Sequence, residues 1–183
     1  MDLQPTLKGE RLVLRPLRPE DREALYAVAR DPEIWALHPD RERWRADAFA
    51  AYFDSLLDRG GSLAVIDRPS GGLIGVSRFQ FGRPDDGGTI EIGSTMLARS
   101  HWGGAANREM KRLMVAHALR YVATVEFWVG EDNLRSQRAM EKLGARLTDR
   151  RERPEIAGRT VPHLVYGISR DEFARGPLGS TGD

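Results

Sequence analysis

The stretch TIEIGSTMLARSHWGGAANREMKRL, residues 89–113, decides how this chain folds. Its opening residues, 89–97, are rich in β-branched and apolar side chains, which is typical of a strand. From residue 105 onward, Met110, Leu113 and Met114 recur at helical spacing. Two glycines and two alanines lie between these segments, at 103–106. The stretch therefore predicts a strand, a turn with little side-chain bulk and a helix.

The small residues at 103–106 have two explanations. The first N–H groups of a helix lack internal partners and lie at the positive end of its dipole, so small residues there let a phosphate approach. Alternatively, they only allow a tight turn or close packing of the helix on the sheet. The stretch lacks the Gly-Lys-Ser/Thr of a nucleoside triphosphate loop and the glycine spacing of a dinucleotide fingerprint. The residues alone leave both explanations open.

The rest of the chain supplies further strands and helices around this unit. Further strands are predicted at 11–17, 62–67, 73–81 and 122–129, and a final hairpin at 145–170 turns near 154–159. Helices are predicted at 18–30, 45–61, 105–121 and 134–143, with turns at 68–72 and 83–88. A strand–helix–strand crossover within otherwise antiparallel strands implies a mixed sheet.

We therefore expect an α+β (mixed α/β) fold in a single domain, with a mixed, mostly antiparallel sheet, a central strand–helix–strand crossover and flanking helices. The domain should span residues 1–174. The tail, 175–183, has no periodicity and is predicted to be disordered.

Composition excludes several classes of function. The chain has 183 residues, a formal net charge of +1 and no cysteine, so disulfides and thiolate chemistry are excluded. No apolar run could span a bilayer, so we expect a cytoplasmic protein without a membrane partner. No histidine pair has metal-ligand spacing, so no metal is expected. Asp149, Glu152 and Glu155 interrupt the arginine-rich hairpin 146–159, which counts against nucleic-acid binding.

A second informative stretch is EDNLRSQRAMEKLGA, residues 131–145. Asn133 can cap the helix that follows. Ser136 shares a helix face with Met140 and Leu143, so its hydroxyl should point inward and need a partner. That partner could be a ligand, or simply a carbonyl of the same helix.

Together these stretches resemble a known family. EIGSTMLARSHWGGAANREMKRLM followed by VEFWVGEDNLRSQRAMEKLGA is similar to the GCN5-related N-acetyltransferases, the GNAT superfamily. The likeness is greatest to the branch of ribosomal-protein N-terminal acetyltransferases, the Rim type. The opening RLVLRPLRPEDREAL and the closing RTVPHLVYGISRDEF fit that branch too, so the resemblance covers roughly residues 8–174.

The resemblance implies transfer of an acetyl group from acetyl-CoA, as co-substrate, to a primary amine of a protein N-terminus or a small molecule. It assigns the pyrophosphate to the amides of Trp102, Gly103, Gly104, Ala105, Ala106 and Asn107. It pairs the main chain of Met96 and Leu97 with the pantetheine arm, gives Asn133 a bond to that arm or to the acetyl carbonyl, and places Ser136 near the thioester sulfur. Because dimers are common in the family, it also makes a homodimer possible.

The sequence departs from the family pattern at two places. Ala105 and Asn107 occupy positions where the family has its central glycine and a final small residue. Met140 stands where many members have a tyrosine that protonates the leaving thiolate, which leaves Ser136 or solvent for that task. These departures keep a second hypothesis open, a non-catalytic acyl-CoA-binding or sensory domain of the same fold.

Glu91 is the candidate general base. Strand alternation places it with Thr89, Gly93 and Thr95, on the face opposite Ile90, Ile92 and Met96. A carboxylate there either lines a cleft or pairs with an arginine.

Trp35 and Trp44 lie in the irregular segment that lines the acceptor site in this family. They either contact substrate or anchor the core.

Overall fold

The computed structural model describes residues 1–83 and 88–179 of the chain. Within that part, the side chains of Phe81 and Arg83 are not described, and most of the turn predicted at 83–88 lies outside the described residues.

An eight-stranded sheet forms the centre of the molecule, in the order β1-β2-β3-β4-β5-β6-β10-β7. Its strands are β1 (Leu7–Lys8), β2 (Leu12–Pro16), β3 (Ser62–Asp67), β4 (Leu73–Arg83), β5 (Thr89–Leu97), β6 (Thr124–Gly130), β7 (Arg146–Glu152) and β10 (His163–Ser169). A small ribbon of β8 (Glu155–Ile156) and β9 (Arg159–Thr160) forms the turn of the last hairpin. The helices are α1 (Arg22–Ala29), α2 (Ala46–Asp58), α3 (Ala105–Ala118), α4 (Leu134–Lys142) and α5 (Arg170–Arg175).

The expected mixed sheet is confirmed. Every pairing in it is antiparallel except that of β5 with β6, which α3 connects. The predicted central crossover is therefore β5–α3–β6. Since parallel strands need such a crossover, this one connection determines the handedness and layering of the fold.

Two apolar clusters cover the two faces of the sheet. The first includes Met110 and Met114 of α3 together with Phe79, Ile92 and Phe127 of the strands. The second includes Leu25 of α1 and Phe53 of α2 with Val76 and Met96 of the strands. The sheet is thus buried on both sides, which explains why β6 is apolar on both faces.

A bulge in β5 changes the side on which its last residues lie. Ser94 has a left-handed φ of 46°, and one extra β5 residue lies between the pairs Arg78–Gly93 and Val76–Met96. Such an insertion reverses the alternation of side chains beyond it. Met96 therefore packs in the second cluster, whereas Ile92 packs in the first.

The predicted alternation of β5 was wrong beyond Gly93 for this reason. Met96 lies on the face of Glu91 and not on that of Ile90 and Ile92, and Thr95 lies on the α3 face. Strict alternation fails here because nothing in the strand's composition marks a serine as the left-handed residue of a bulge.

The predicted disordered tail 175–183 needs a correction in its first part. Arg175 ends α5, and Leu178 is only 1% exposed within the first cluster. A single apolar side chain anchors this segment to the core, a signal too short for periodicity to reveal. Residues 180–183 lie outside the described part of the chain.

Among residues 1–83 and 88–179, no helix has the length and apolar character needed to cross a bilayer.

Candidate functional site

The two parallel strands at the centre of the sheet separate toward their carboxyl ends. They pair at Thr89–Thr124, Ile90–Val125 and Glu91–Glu126, and no further pair follows. Beyond that point β5 stays paired with β4 to Leu97, and β6 stays paired with β10 to Gly130. A wedge-shaped gap therefore opens between β5 and β6, with backbone groups along its sides.

The β5 side of the gap offers backbone groups from one of the two expected residues. Ala98 donates its N–H to Ile74 O of β4 at 2.8 Å, so alternation turns the N–H and C=O of Leu97 toward the gap. Met96 pairs with Val76, which turns its main chain toward β4. The backbone of Leu97, and not that of Met96, is therefore oriented to contact an extended ligand in the gap.

The N-terminus of α3 lies just beyond the carboxyl end of β5. Its N-cap, Gly104, has extended backbone and provides no side-chain hydrogen bond to the helix. A Cβ added at Gly103 or Gly104 would meet no atom within 4 Å, so the space in front of the first amides is open. Uncapped amides at the positive end of a helix can accept an anion such as phosphate, and no described side chain blocks their approach here.

Individual positions in the loop 102–107 differ in what they contribute. Gly103 has φ +70°, which explains the glycine. Ala106 is buried in the core, while Ala105 is exposed. The backbone N–H of Trp102 is already donated to Arg99 O at 3.0 Å. The amides that remain for a ligand belong to Gly103 through Asn107.

Trp102 and Arg135 connect the two sides of the gap at its open end. The Trp102 indole donates to Leu97 O at 2.9 Å, and the Arg135 guanidinium lies 4.1 Å from the ring centroid of Trp102. Arg135 also donates to Ile34 O at 3.3 Å. Arg135 has no distinguishing mark in the sequence, because its stacking partner lies 33 positions earlier in the chain.

Asn133 caps α4, as one of its two explanations predicted. Its Oδ1 accepts the backbone N–H of Ser136 at 3.1 Å. Ser136 is half-buried, and Met140, one turn later, is 6% exposed and packs in the first cluster. Asn133 and Ser136 lie at the start of the helix that follows β6, and therefore at the carboxyl end of the second strand that borders the gap.

Glu91 is buried where the two strands part. It is 3% exposed, and its Oε1 accepts a hydrogen bond from Gln80 Nε2 at 3.0 Å. No described residue donates a hydrogen bond to Oε2. Burial raises the pKa of Glu91 to about 8, although the bond from Gln80 and the charge of Lys111 oppose this. The alternative of an ion pair with arginine finds no support among the described residues.

Lys111 is a buried cation that sequence analysis missed. It is 2% exposed on α3, and its Nζ donates to Thr95 Oγ1 at 2.7 Å. Burial lowers the pKa of Lys111 to about 7. A signal was present, because Met114, Val115 and Ala118 continue a helical stripe from position 111 and all are buried.

A cleft of about 700 Å³ opens beside the end of β6. Its lining comes from three segments, 37–42, 130–133 and 157–162. The first lies in the irregular segment, with Trp35 and Trp44, that lines the acceptor site in the family that the sequence resembles. Asn133 lines it as well, so the cleft adjoins the carboxyl end of β6.

The two tryptophans of the early segment have different environments. Trp35 is 3% exposed, donates its indole N–H to Ala29 O at 2.7 Å and packs on Tyr52, which favours core anchoring. Trp44 is 36% exposed. Neither lines the cleft.

The histidines of the described chain are not grouped for metal binding. No set of three or more His, Asp or Glu side chains in residues 1–83 and 88–179 could hold an ion. His117 Nε2 lies 2.8 Å from Asp2 O, so this histidine ties the N-terminal segment to α3. His38 is desolvated and lies beside Arg43, so its pKa falls to about 4 and it stays neutral.

Comparison with known proteins agrees with this architecture. The sequence profile of the acetyltransferase (GNAT) domain matches residues 11–146. A search of curated proteins found no match. The chain belongs to the GNAT acetyltransferase family, and it is therefore an acetyl-CoA-dependent acetyltransferase.

Solved structures share the whole fold. A GCN5-related N-acetyltransferase from Brucella melitensis aligns with a TM-score of 0.77 at 21% identity, over 96% of this chain and 82% of that one. A GNAT-family acetyltransferase from Bacillus anthracis gives 0.71 at 17% identity, over 91% and 99%. Mycobacterium smegmatis RimJ, solved with CoA-disulfide, gives 0.69 at 18% identity, over 95% and 91%. A RimJ protein is thus among the structural neighbours, and at these identities the likeness shows a shared fold only.

Replacing Trp35 and Trp44 in turn tests whether each anchors the core or lies at the surface. We expect Trp35→Ala to lower the free energy of unfolding by about 3–5 kcal/mol, because it removes a buried ring. Trp44→Ala should change it by about 0.5 kcal/mol or less. Equilibrium urea unfolding measures both. A stable Trp35→Ala variant with a raised KM for the amine would instead place Trp35 at the acceptor site.

Gly104 provides a test of the helix entrance. We expect acetyl-CoA to raise the melting temperature of the wild type, because it binds the folded state. Gly104→Glu should abolish that rise, since it places a bulky anion in the open space, while its own melting temperature stays within about 4 °C of wild type.

Gly104→Ala is the matched control, because φ at Gly104 is −100° and its Cβ would meet nothing. It should keep the shift. Normal acetyl-CoA binding by Gly104→Glu would mean that the small residues serve packing alone.

Proposed function

We propose that this protein is an N-acetyltransferase that moves the acetyl group of acetyl-CoA to a primary amine by direct attack. The acceptor is a protein N-terminus or an amine-bearing small molecule. One observation carries the proposal: the carboxyl of Glu91 is buried with a free oxygen at the place where β5 and β6 separate.

The residues that would hold the donor lie at one end of the sheet. The amides of Gly103 to Asn107 face open space and suit a pyrophosphate, and the N–H of Leu97 faces the gap. Acetyl-CoA supplies an activated thioester to this site. Holding donor and acceptor together makes the attack effectively unimolecular, which lowers the entropic part of the barrier.

Glu91 would take the proton from the attacking amine, directly or through water. A primary amine is protonated at neutral pH and must lose a proton before it can attack. A carboxylate with a pKa near 8 is a far stronger base than an ordinary glutamate. The cleft of about 700 Å³ is the proposed entrance for the amine.

The leaving thiolate needs a proton from Ser136 or from water. Met140 cannot donate one, and its burial leaves it a packing role. Ser136 is half-buried at the start of α4, next to the Asn133 cap. We assign the proton to Ser136.

The second candidate function, a non-catalytic acyl-CoA-binding domain, would need only the helix entrance and the gap. It gives no reason to keep a carboxyl group buried with an unbonded oxygen, which costs free energy. We therefore favour the enzyme.

The pH dependence of turnover tests the role of Glu91. We expect kcat/KM of the wild type to rise about tenfold per pH unit below pH 8 and to level off above it, because only ionised Glu91 is active. Glu91→Gln keeps the shape of the side chain but cannot accept a proton. Its kcat/KM should be about 10²–10⁴-fold lower and should no longer rise with pH up to pH 8. The measurement is acetyl-CoA consumption across a panel of amines and N-terminal peptides.

Ser136→Ala is tested in the same assay and should lower kcat more than it raises the KM for acetyl-CoA, since thiolate protonation occurs late. An unchanged kcat would assign that proton to water. If acetyl-CoA binds but no amine is turned over, the non-catalytic hypothesis is correct.

A further inference from the structure

Gln80 is the direct neighbour of Glu91 across the antiparallel pair of β4 and β5. Its side-chain amide donates from Nε2 to Glu91 Oε1 at 3.0 Å, whereas no described residue hydrogen-bonds the other oxygen, Oε2. The two oxygens of this buried carboxyl group are therefore not equivalent. The oxygen that accepts the amide is held in place, and the other one is left to take up a proton.

The amide of Gln80 is itself oriented by Ser94. Ser94 Oγ donates to Gln80 Oε1 at 3.3 Å, so the carbonyl end of the amide is occupied and the NH₂ end faces Glu91. The reverse orientation would bring the amide oxygen against the carboxylate, and neither group could then donate. The hydroxyl of Ser94 thus favours the orientation that stabilises ionised Glu91.

The bulge in β5 brings Ser94 to this place. In a regular strand its side chain would point to the face opposite Gly93 and Glu91, but at a φ of 46° it reaches Gln80. A left-handed backbone is unfavourable for residues other than glycine, so a serine here costs stability. The buried Tyr52 of α2 donates to Ser94 O at 3.4 Å and holds the same turn. A side chain kept at such a cost points to a task for its hydroxyl.

Gly93 leaves the space in which the bond between Gln80 and Glu91 forms. A Cβ at Gly93 would lie 2.4 Å from Gln80 Nε2 and 2.4 Å from Glu91 Oε1, the two atoms that the hydrogen bond joins. The φ of Gly93 is outside the left-handed region. Glycine is therefore needed here for space, because the bond passes directly over its Cα.

The charged groups around Glu91 do not replace this bond. Burial is the main cause of its raised pKa, and the bond from Gln80 is the largest effect that opposes burial. Glu126, its neighbour on β6, raises the pKa further. The charges of Lys111 on α3 and Arg78 on β4 lower it, but neither residue forms an ion pair with Glu91.

We propose that Gln80 is a positioning residue for Glu91: its amide holds Oε1 and leaves Oε2 as the oxygen that takes the proton from the attacking amine. Ser94 orients that amide, and Gly93 leaves room for it. This inference rests on the proposed role of Glu91 as the base. Gln80 acts through Glu91, and it makes the ionised form available at a lower pH than burial alone would allow.

The direct test is a titration that needs no turnover. In protein labelled with ¹³C at the glutamate side-chain carboxyl, the resonance of Glu91 is assigned by its absence from Glu91→Gln, and its pKa is measured by NMR. Gln80→Met has a side chain of similar length without the amide. It should raise the pKa of Glu91 by about one unit or more, because the bond that it removes favours the ionised form.

Gly93→Ala tests the same bond without altering either partner. The three atoms nearest to the new Cβ all belong to side chains, so the variant should fold, part the two groups and raise the pKa of Glu91. Gly72→Ala, just before β4, is the matched control, since its Cβ would meet only Ser70 Oγ, at 3.3 Å. It should leave that pKa unchanged. A wild-type pKa of Glu91 in both Gln80→Met and Gly93→Ala would overturn the proposal.

Ser94→Gly separates this role from a packing role. Glycine suits a φ of 46°, so the variant should melt no more than about 4 °C below the wild type. Without the hydroxyl the amide of Gln80 is free to turn, so the pKa of Glu91 should rise, though by less than in Gln80→Met. This variant also provides the measurement if Gln80→Met does not fold. A large fall in melting temperature with an unchanged pKa would make Ser94 a packing residue and overturn its part in the proposal.

The kinetic consequence follows in the acetylation assay. The pH at which kcat/KM levels off should rise in Gln80→Met by the same amount as the pKa of Glu91, while the KM for acetyl-CoA stays within about twofold of wild type. A loss of rate that is equal at every pH would overturn the proposal. If the pKa shifts by NMR but the wild type acetylates no amine, the contact between Gln80 and Glu91 stands and the proposed function fails instead.

Discussion

The separation of β5 from β6 beyond Glu91 and Glu126 is the constraint on which the site depends. Parallel strands normally continue to pair, and each pair that is lost exposes backbone groups that need other partners. Here the bulge at Ser94 turns the end of β5 away and keeps it bonded to β4. The gap that results places the N–H of Leu97, the buried acid and the start of α3 at one end of the sheet.

Burial gives the two ionisable groups near the gap their unusual chemistry. A glutamate whose pKa is near 8 and a lysine whose pKa is near 7 both titrate in the physiological range. Desolvation is the main cause in each case, and it acts in opposite directions because it disfavours the charged form of both. Groups of this kind cost stability, which proteins tend to accept where chemistry is carried out.

Much of the fold could be predicted from the sequence, because its elements have strong local signals. The crossover was evident from the strand at 89–97, the small residues at 103–106 and the helical stripe that follows. The bulge was not, because a left-handed serine leaves no mark in composition. Because of that single residue, the side chains of Thr95 and Met96 lie on the faces of the sheet opposite to those predicted.

The site was partly predictable for a similar reason. Glu91 stood out as a carboxylate in an apolar strand, and Asn133 as a helix cap. Lys111 and Arg135 did not, since their partners Thr95 and Trp102 are distant in sequence and meet only through the crossover. Trp35 could be a core or a surface residue on the sequence alone, and its hydrogen bond to Ala29 O places it in the core.

The most direct test of the account is to map the backbone amides that respond to acetyl-CoA by ¹⁵N–¹H NMR. We expect large chemical-shift changes at the amides of Leu97 and of Gly103 to Asn107, which form the edge of the gap and the entrance of α3. The amide resonances of β1 and β7, at the two edges of the sheet, should not shift. Shifts confined to the lining of the cleft, or none at saturating acetyl-CoA, would contradict the claim that the gap between β5 and β6 is the donor site.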